Sequence, residues 1–272
     1  MAFQDPHTLL ETAVTAAQAG ARSVSGFWRS LTAGQVEEKA PNDLVTDADR
    51  ASEAAMLEHI HRRFPDHAIL AEESGLSGLE DTGKPTWIID PLDGTTNFVH
   101  GVPHFAISVG VAVGGQPVVG VILDPVKNDL FAGGEGIGVR WNGKPCRVSP
   151  RAGLPGALLT TGFPFKAHRL LDTYLKIFHD VFLRCKAIRR PGAAALDLAY
   201  VAAGIFDGFF EFQLSPWDLA AGTALVREAG GIVTNMDGTD DILTEGDVVC
   251  GPPGVHHELL ALIGKYRTRE SA

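Results

Sequence analysis

The sequence predicts a layered α/β (α+β) fold, with antiparallel sheet in its first half and alternating strands and helices in its second. Three observations carry this. Leu10, Val14, Ala17, Ala21, Val24, Trp28 and Leu31 recur at three- and four-residue steps, the period of an amphipathic helix over 7–31. Short apolar and β-branched runs at 105–113, 118–123 and 130–132 are separated by Gly-Gly-Gln-Pro and Pro-Val-Lys-Asn, the pattern of an antiparallel meander. From residue 158 onward, strand and helix patterns alternate, which calls for sheet covered by helices.

Along the chain, residues 34–45 read as polar and irregular. A second helix follows over 47–64, stopped by Pro65, whose ring cannot continue it. Residues 68–71 form a short strand ending at Glu72 and Glu73. Trp87-Ile88-Ile89 is a buried strand running into Asp90 and Asp93, and a helix can begin after Gly94. Trp141-Asn142-Gly143-Lys144 marks another turn. In the second half, strands are expected at 158–161, 208–212, 232–234 and 248–250. Helices are expected at 168–183, 193–203, 217–229 and 255–266. No linker, low-complexity segment or internal repeat divides the chain.

The 272 residues fit one large domain or two intimately packed halves. At 45% hydrophobic and 21% charged, the composition is that of an ordinary globular protein. A net charge of −10 argues against broad binding to nucleic acid or anionic membrane, which needs clustered Lys and Arg. Cys146, Cys185 and Cys250 are odd in number and far apart, so neither a disulfide framework nor a zinc knuckle is indicated. Reduced cytoplasmic thiols are the expectation. The N-terminus lacks a basic-then-apolar signal pattern.

Chemistry concentrates in Trp87-Ile-Ile-Asp-Pro-Leu-Asp-Gly-Thr-Thr-Asn97. Two acids just past an apolar strand make poor core and a good cation site, and an oxygen-only cluster suits Mg²⁺ or Mn²⁺. Gly94-Thr95-Thr96 can offer N–H groups and a hydroxyl to an anion at a helix start. Taken singly, each acid has a structural reading. Thr46 and Asp49 fit a capping box, Glu72 and Glu73 a solvated turn, and Asp218 the start of a helix. Were four carboxylates to converge, each adjacent pair would repel by about 4 kcal/mol at an effective dielectric of ~20, and cations would have to neutralise them.

Two other motifs fail. The haloacid-dehalogenase pattern Asp-x-Asp-Gly-Thr is one residue shorter than Asp90-Pro-Leu-Asp93. The glycines at 133, 134, 136 and 138 do not match G-x-G-x-x-G and lie in a hairpin region.

Asp43-Leu-Val-Thr-Asp-Ala-Asp49, Glu72-Glu-Ser, Trp87 to Phe98, Trp217-Asp-Leu-Ala-Ala-Gly222 and Glu228-Ala-Gly-Gly231 together resemble the inositol monophosphatase family across nearly the whole chain. Thr161-Gly-Phe-Pro-Phe165 and Ala194-Ala-Leu-Asp-Leu-Ala-Tyr-Val-Ala-Ala-Gly204 are most similar to its bacterial SuhB-type branch. The resemblance implies an α-β-α-β-α sandwich of the inositol monophosphatase and fructose-1,6-bisphosphatase type. It implies one phosphatase unit over 1–272. About 1–150 would carry the large antiparallel sheet and most metal ligands, and about 151–272 would complete the site. The implied activity is Mg²⁺-dependent hydrolysis of a small phosphate monoester, with two or three ions per site.

By position, the resemblance assigns Glu72, Asp90 and the Leu92 carbonyl to one metal, and Asp90, Asp93 and Asp218 to a second. In some relatives the residue matching Glu72 also faces a weaker third site. Thr95 with Glu72 would orient the attacking water, and the catalytic set is Glu72, Asp93 and Thr95. Gly94 and Thr95 would meet phosphate. Gly192, Ala193, Ala194, Glu211 and Asp218 would line the substrate pocket. Phosphoryl transfer asks mainly for positioning and charge neutralisation, so no Ser, Cys or His nucleophile is needed. His100 and His104 flank the site in sequence and read as structural groups or as supports just behind the ligands.

Pro191 and Ala193 depart from the family pattern, and Ala193 removes a pocket hydroxyl. Inositol monophosphate is the first expectation for substrate. Fructose-1,6-bisphosphate, histidinol phosphate, NADP and 3′-phosphoadenosine 5′-phosphate are alternatives within the same chemistry. The resemblance also implies a homodimer, and it opens a role in binding the transcription machinery.

Overall fold

The structure, a computed structural model, describes residues 5–41, 43–78, 84–165 and 167–267. Helix α1 (Pro6–Phe27) begins at Asp5, whose carboxylate accepts the His7 N–H at 3.1 Å. It ends short of residue 31 because Arg29 takes φ 59. Trp28 and Leu31 still pack on the same core beyond the helix end. Residues 34–45 are not irregular: β1 (Val36–Ala40) and β2 (Asp43–Thr46) form an antiparallel pair. The exposed face of β1 gives no apolar alternation to read. Arg50 of the following helix α2 (Asp47–Arg63) grips Glu37 of β1 through two hydrogen bonds, at 2.6 and 3.2 Å.

The next strands are β3 (Ala68–Ala71), β4 (Gly75–Ser77) and β5 (Thr86–Asp93). The short helix α3 (Thr95–Val99) follows, then β6 (Ala106–Val113), β7 (Gln116–Asp124), β8 (Asp129–Gly134), β9 (Gly138–Trp141) and β10 (Lys144–Cys146). Among the described residues they build one eight-stranded sheet ordered β10-β9-β8-β7-β6-β5-β3-β4. The meander from β5 to β10 is antiparallel, as the turn spacing predicts, and only β3 and β5 run parallel.

The second half holds β11 (Leu158–Thr161), α4 (Leu171–Phe182), β12 (Ala187–Arg189), α5 (Ala194–Ala202), β13 (Gly208–Glu211) and α6 (Pro216–Glu228). It continues with β14 (Ile232–Thr234), α7 (Ile242–Glu245), β15 (Val248–Gly251) and α8 (Pro253–Ile263). Its strands form a five-stranded sheet ordered β12-β11-β13-β15-β14. The helix expected from 168 opens instead as a 3₁₀ turn at His168–Leu170.

Among the described residues three large apolar cores stack these layers, with a small fourth cluster at Ile88, Ala112 and Ala220. Helices α1 and α2 pack on one face of the large sheet through Leu9, Met56, Ile89 and Val109. Helices α5 and α6 lie between the two sheets, against Ile122 and Phe131 on one side and Phe209 and Val248 on the other. Helices α4 and α8 cover the outer face of the small sheet through Tyr174, Ile177, Leu259 and Phe210. The result is the expected α-β-α-β-α sandwich. No described helix is long and apolar enough to cross a membrane.

Close contact between α6 and the large sheet depends on a missing side chain. A Cβ on Gly110 of β6 would stand 2.6 Å from Ala220 Cβ and 2.9 Å from Ala221 N. The helix therefore seats directly on the strand, and Ser108 of β6 donates to the Trp217 carbonyl at 3.2 Å.

Candidate metal centre

Asp90 and Asp93 both lie at the end of β5, where a regular strand would face them to opposite sides. The pairing with β6 corrects this. Asp90 pairs with Ser108 and Asp93 with Ala106, so β5 spends one residue more than its partner. This bulge returns Asp93 to the side of Asp90. It is pinned from both directions, because Ser52 of α2 donates to the Pro91 carbonyl at 2.8 Å and the Leu92 N–H donates to Asp90 Oδ1 at 2.8 Å.

Asp218 arrives on the first turn of α6, where its Oδ2 accepts the Ser215 N–H at 2.7 Å. The helix-start reading of Asp218 is therefore correct, yet the same carboxylate meets the other two. One oxygen each from Asp90, Asp93 and Asp218 lies within 4.8 Å of the others. Asp93 also accepts the Ala195 N–H at 2.7 Å, at the start of α5. The sequence gives no signal for that bond, since residue 195 is distant along the chain.

Electrostatics set the cluster's needs. Burial pushes Asp90 well above the ordinary carboxylate range, and Glu72, Asp93 and Asp218 push it further. Burial does the same to Asp93, with Asp218 adding to it. Glu72 is pushed up to about 7, by burial first, while Lys39 opposes the rise and Asp218 adds to it. Lys39 on β1 pairs with Glu73 and stands 3.5 Å from Glu72 Oε1. At the cluster's spacing two like charges repel by roughly 3–4 kcal/mol at an effective dielectric of ~20. Oxygen donors held together at that cost fit a hard divalent cation.

Thr95 opens α3 after Gly94, which takes φ 90. Only glycine adopts that conformation cheaply. Thr95 Oγ1 lies 3.0 Å from Asp49 Oδ1 and 3.0 Å from the Leu92 carbonyl, with one proton to give. Asp49 does cap α2, accepting the Thr46 N–H at 2.8 Å and its hydroxyl at 2.6 Å. Burial raises it to about 6, against the hydrogen bonds from Thr46 and Thr95. The capping assignment for Asp49 was legible, but its grip on Thr95 was not.

These residues open on a cavity of about 550 Å³, lined by Glu72, Asp90, Leu92, Asp93, Gly94, Thr95, Gly192, Glu211 and Asp218. Ala193 and Ala194 are buried at the start of α5 and are not among the lining residues. Glu211 is pushed up to about 8 by burial, opposed by the Arg190 guanidinium. Arg190 lies 5.7 Å from the Phe163 ring centre and 5.3 Å from that of Phe165. Asn97 ties the wall together, donating to the carbonyls of His104 at 2.8 Å, Pro191 at 3.0 Å and Gly192 at 3.3 Å. Its place in the motif was visible, but its bridging role was not. His104 does not line the cavity, and burial pushes it down to about 4.

Comparison with known proteins agrees with this architecture. The Inositol monophosphatase family model matches residues 5–267. The Nus factor SuhB of Escherichia coli K12 is 45% identical over 256 residues, covering 94% of this chain and 95% of the relative. Among solved structures, extragenic suppressor protein suhB from Bartonella henselae superposes with a TM-score of 0.88 at 39% identity, covering 95% of this chain and 99% of the other. Inositol monophosphatase from Anabaena gives 0.86 at 39% identity, covering 98% and 99%.

Proposed function

Because the chain belongs to the inositol monophosphatase family, we propose that it is a metal-dependent phosphomonoesterase that releases phosphate from myo-inositol monophosphate. The observation that carries this is the meeting of Asp90, Asp93 and Asp218 on one cavity wall with Thr95 beside them. Asp90, Asp93, Asp218, Glu72 and the Leu92 carbonyl would hold the ions, with Mg²⁺ the expected species and Mn²⁺ able to replace it. A bound divalent cation supplies Lewis acidity and lowers the pKa of water toward neutrality.

The chain's own groups do the rest. Thr95 and Glu72 orient the attacking water by hydrogen bonding. The backbone N–H groups of Gly94 and Thr95 hold the phosphoryl oxygens, because the Thr95 hydroxyl spends its one proton on Asp49 or the Leu92 carbonyl. Glu211 and Gly192 contact the alcohol portion, and Ala193 and Ala194 support that wall from beneath. We take residues 1–272 as a single unit that works as a homodimer in the cytoplasm.

The test is phosphate release, with and without Mg²⁺, across inositol-1-phosphate, fructose-1,6-bisphosphate, histidinol phosphate, NADP and 3′-phosphoadenosine 5′-phosphate. Mg²⁺-dependent release from inositol-1-phosphate, lost in Asp93→Asn, supports the reading. A folded protein that releases phosphate from none of them overturns it.

One observation favours a second role. The 45%-identical relative carries the name Nus factor, so a function alongside the transcription machinery is also proposed. Asp93→Asn separates the two, since a binding role would survive the loss of turnover.

A further inference from the structure

We propose that Gly162 is a positioning residue for substrate selection. The side chain it lacks leaves a slot that holds the Glu211 carboxylate back at the cavity wall, where it accepts hydrogen bonds from hydroxyls of the substrate's alcohol portion. This rests on the phosphatase reading above, in which Glu211 contacts that portion, and it gives a task to a residue that the family resemblance does not assign.

The sheet brings the two residues together. Strands β11 and β13 run parallel, with Leu159 beside Gly208, Thr160 beside Phe209 and Thr161 beside Phe210. Gly162 and Glu211 come next along the two chains. Thr161 fixes the alignment at this end, because its Oγ1 donates to the Phe210 carbonyl at 2.7 Å. Neighbouring strands lie only about 4.8 Å apart, so a side chain at 162 would compete with Glu211 for one space.

The competition is severe. A Cβ on Gly162 would stand 1.8 Å from Glu211 Oε1, 2.0 Å from Cδ and 2.2 Å from Oε2. The carboxylate therefore fills the volume that any other residue would claim. The backbone does not ask for glycine here, since Gly162 takes no positive φ. Among the described residues, Gly120, Gly246 and Gly254 would also meet an atom within 2.2 Å, but there the nearest atom is backbone, and close packing of the chain explains the glycine. At Gly162 all three atoms belong to one side chain, and that side chain lines the candidate site.

Displacement from the slot has a direction. Gly162 is buried, whereas Glu211 opens on the cavity. Carbon atoms settle at about 3.5–4.0 Å, so a methyl group at 162 would drive the Glu211 carboxyl carbon roughly 1.5–2 Å into the cavity. A hydrogen bond does not survive a shift of that size. The obstacle is the end of a flexible side chain and not backbone, so the chain can still fold around the methyl group. The Thr161-Gly-Phe-Pro-Phe165 motif thereby acquires a local meaning. Its glycine seats Glu211, and its two phenylalanine rings lie under the Arg190 guanidinium on the same lining.

The experiment measures kcat, KM and the thermal midpoint in Mg²⁺ for native protein, Gly162→Ala, Glu211→Ala and the double variant, on inositol-1-phosphate. Gly162→Ala should raise KM at least about fivefold, as loss of one hydrogen bond implies, with kcat changed far less. In the Glu211→Ala background the new methyl group enters the room that the carboxylate has vacated. The double variant should therefore match Glu211→Ala in KM, the non-additivity expected of residues acting through one contact. A double variant whose loss is the product of the two single losses overturns the assignment, as does a Gly162→Ala protein with native KM. Should Gly162→Ala fail to fold, recovery of folding in the double variant supports the slot, and continued misfolding overturns it. A native protein that releases no phosphate from inositol-1-phosphate overturns the phosphatase reading for that ester and the assignment with it; in every other failure the native protein stays active.

Discussion

Gly110→Ala adds one methyl group, yet it should disturb both stability and the candidate metal centre. The new Cβ would stand 2.6 Å from Ala220 Cβ, 2.9 Å from Ala221 N and 3.0 Å from Ala220 C. Carbon atoms settle at about 3.5–4.0 Å, so α6 has to withdraw from β6 by roughly 1 Å. Overpacking of this kind costs about 1–3 kcal/mol. At about 2–4 °C per kcal/mol for a chain near this size, the melting point should drop by roughly 2–12 °C. The same withdrawal carries Asp218, two residues before Ala220, away from Asp90 and Asp93. Sites of this kind tolerate only about 0.5 Å. The Mg²⁺ concentration for half-maximal phosphate release should therefore rise at least about tenfold, given that a 1 Å misplacement can cost ~10²-fold. Thermal melts and Mg²⁺ titrations of native and variant proteins read both effects. Gly26→Ala, on α1 with nothing within 4 Å of its new Cβ, is the control. A Gly110→Ala protein that melts like native and needs no more Mg²⁺ would refute the claim that α6 is seated by this contact.

Other outcomes follow from single groups. Thr95→Val keeps the shape but removes the hydroxyl shared between Asp49 and Leu92. It should cost about 100-fold in kcat, near the low end for a positioned proton-transfer group, while Thr95→Ser costs far less; equal losses in steady-state assays would contradict the hydroxyl's role. His256 is buried, with Nε2 2.9 Å from Thr234 Oγ1, and burial pushes it down to about 4. Its folded-state value lies below its unfolded value near 6.5. The neutral ring therefore contributes stability that is fully present above about 6.5 and is lost as pH falls toward 4. Urea unfolding at pH 7.5 and pH 5 should show His256→Gln losing less stability on acidification than native, and identical losses would contradict this.

What could be read in the sequence was whatever local pattern encodes. The α2 start at Thr46, the meander of β6, β7 and β8, and the β9–β10 turn at Asn142 and Gly143 follow from capping, period and turn chemistry. The β1–β2 pair escaped because most of its β1 residues are exposed. Strand β12, three residues long on the edge of the small sheet, was too short to announce itself. For the site, the acids were visible one at a time, each with an adequate local role. Their convergence depends on a bulge between Asp90 and Asp93 and on the seating of α6, which are pairing and packing properties. The bonds from Ala195 to Asp93 and from Asn97 to Pro191 each span more than a third of the chain, beyond any local signal.

On the proposed reading Asp90, Asp93 and Asp218 together hold divalent cation for phosphate release. Calorimetric titration of metal-stripped native protein and Asp93→Asn with Mg²⁺ and Mn²⁺ tests it most directly. Native protein should bind saturably, with affinity at least about tenfold weaker in the variant, the order of loss seen when a metal site is disturbed. Equal binding by the two proteins, or none by the native one, would contradict it.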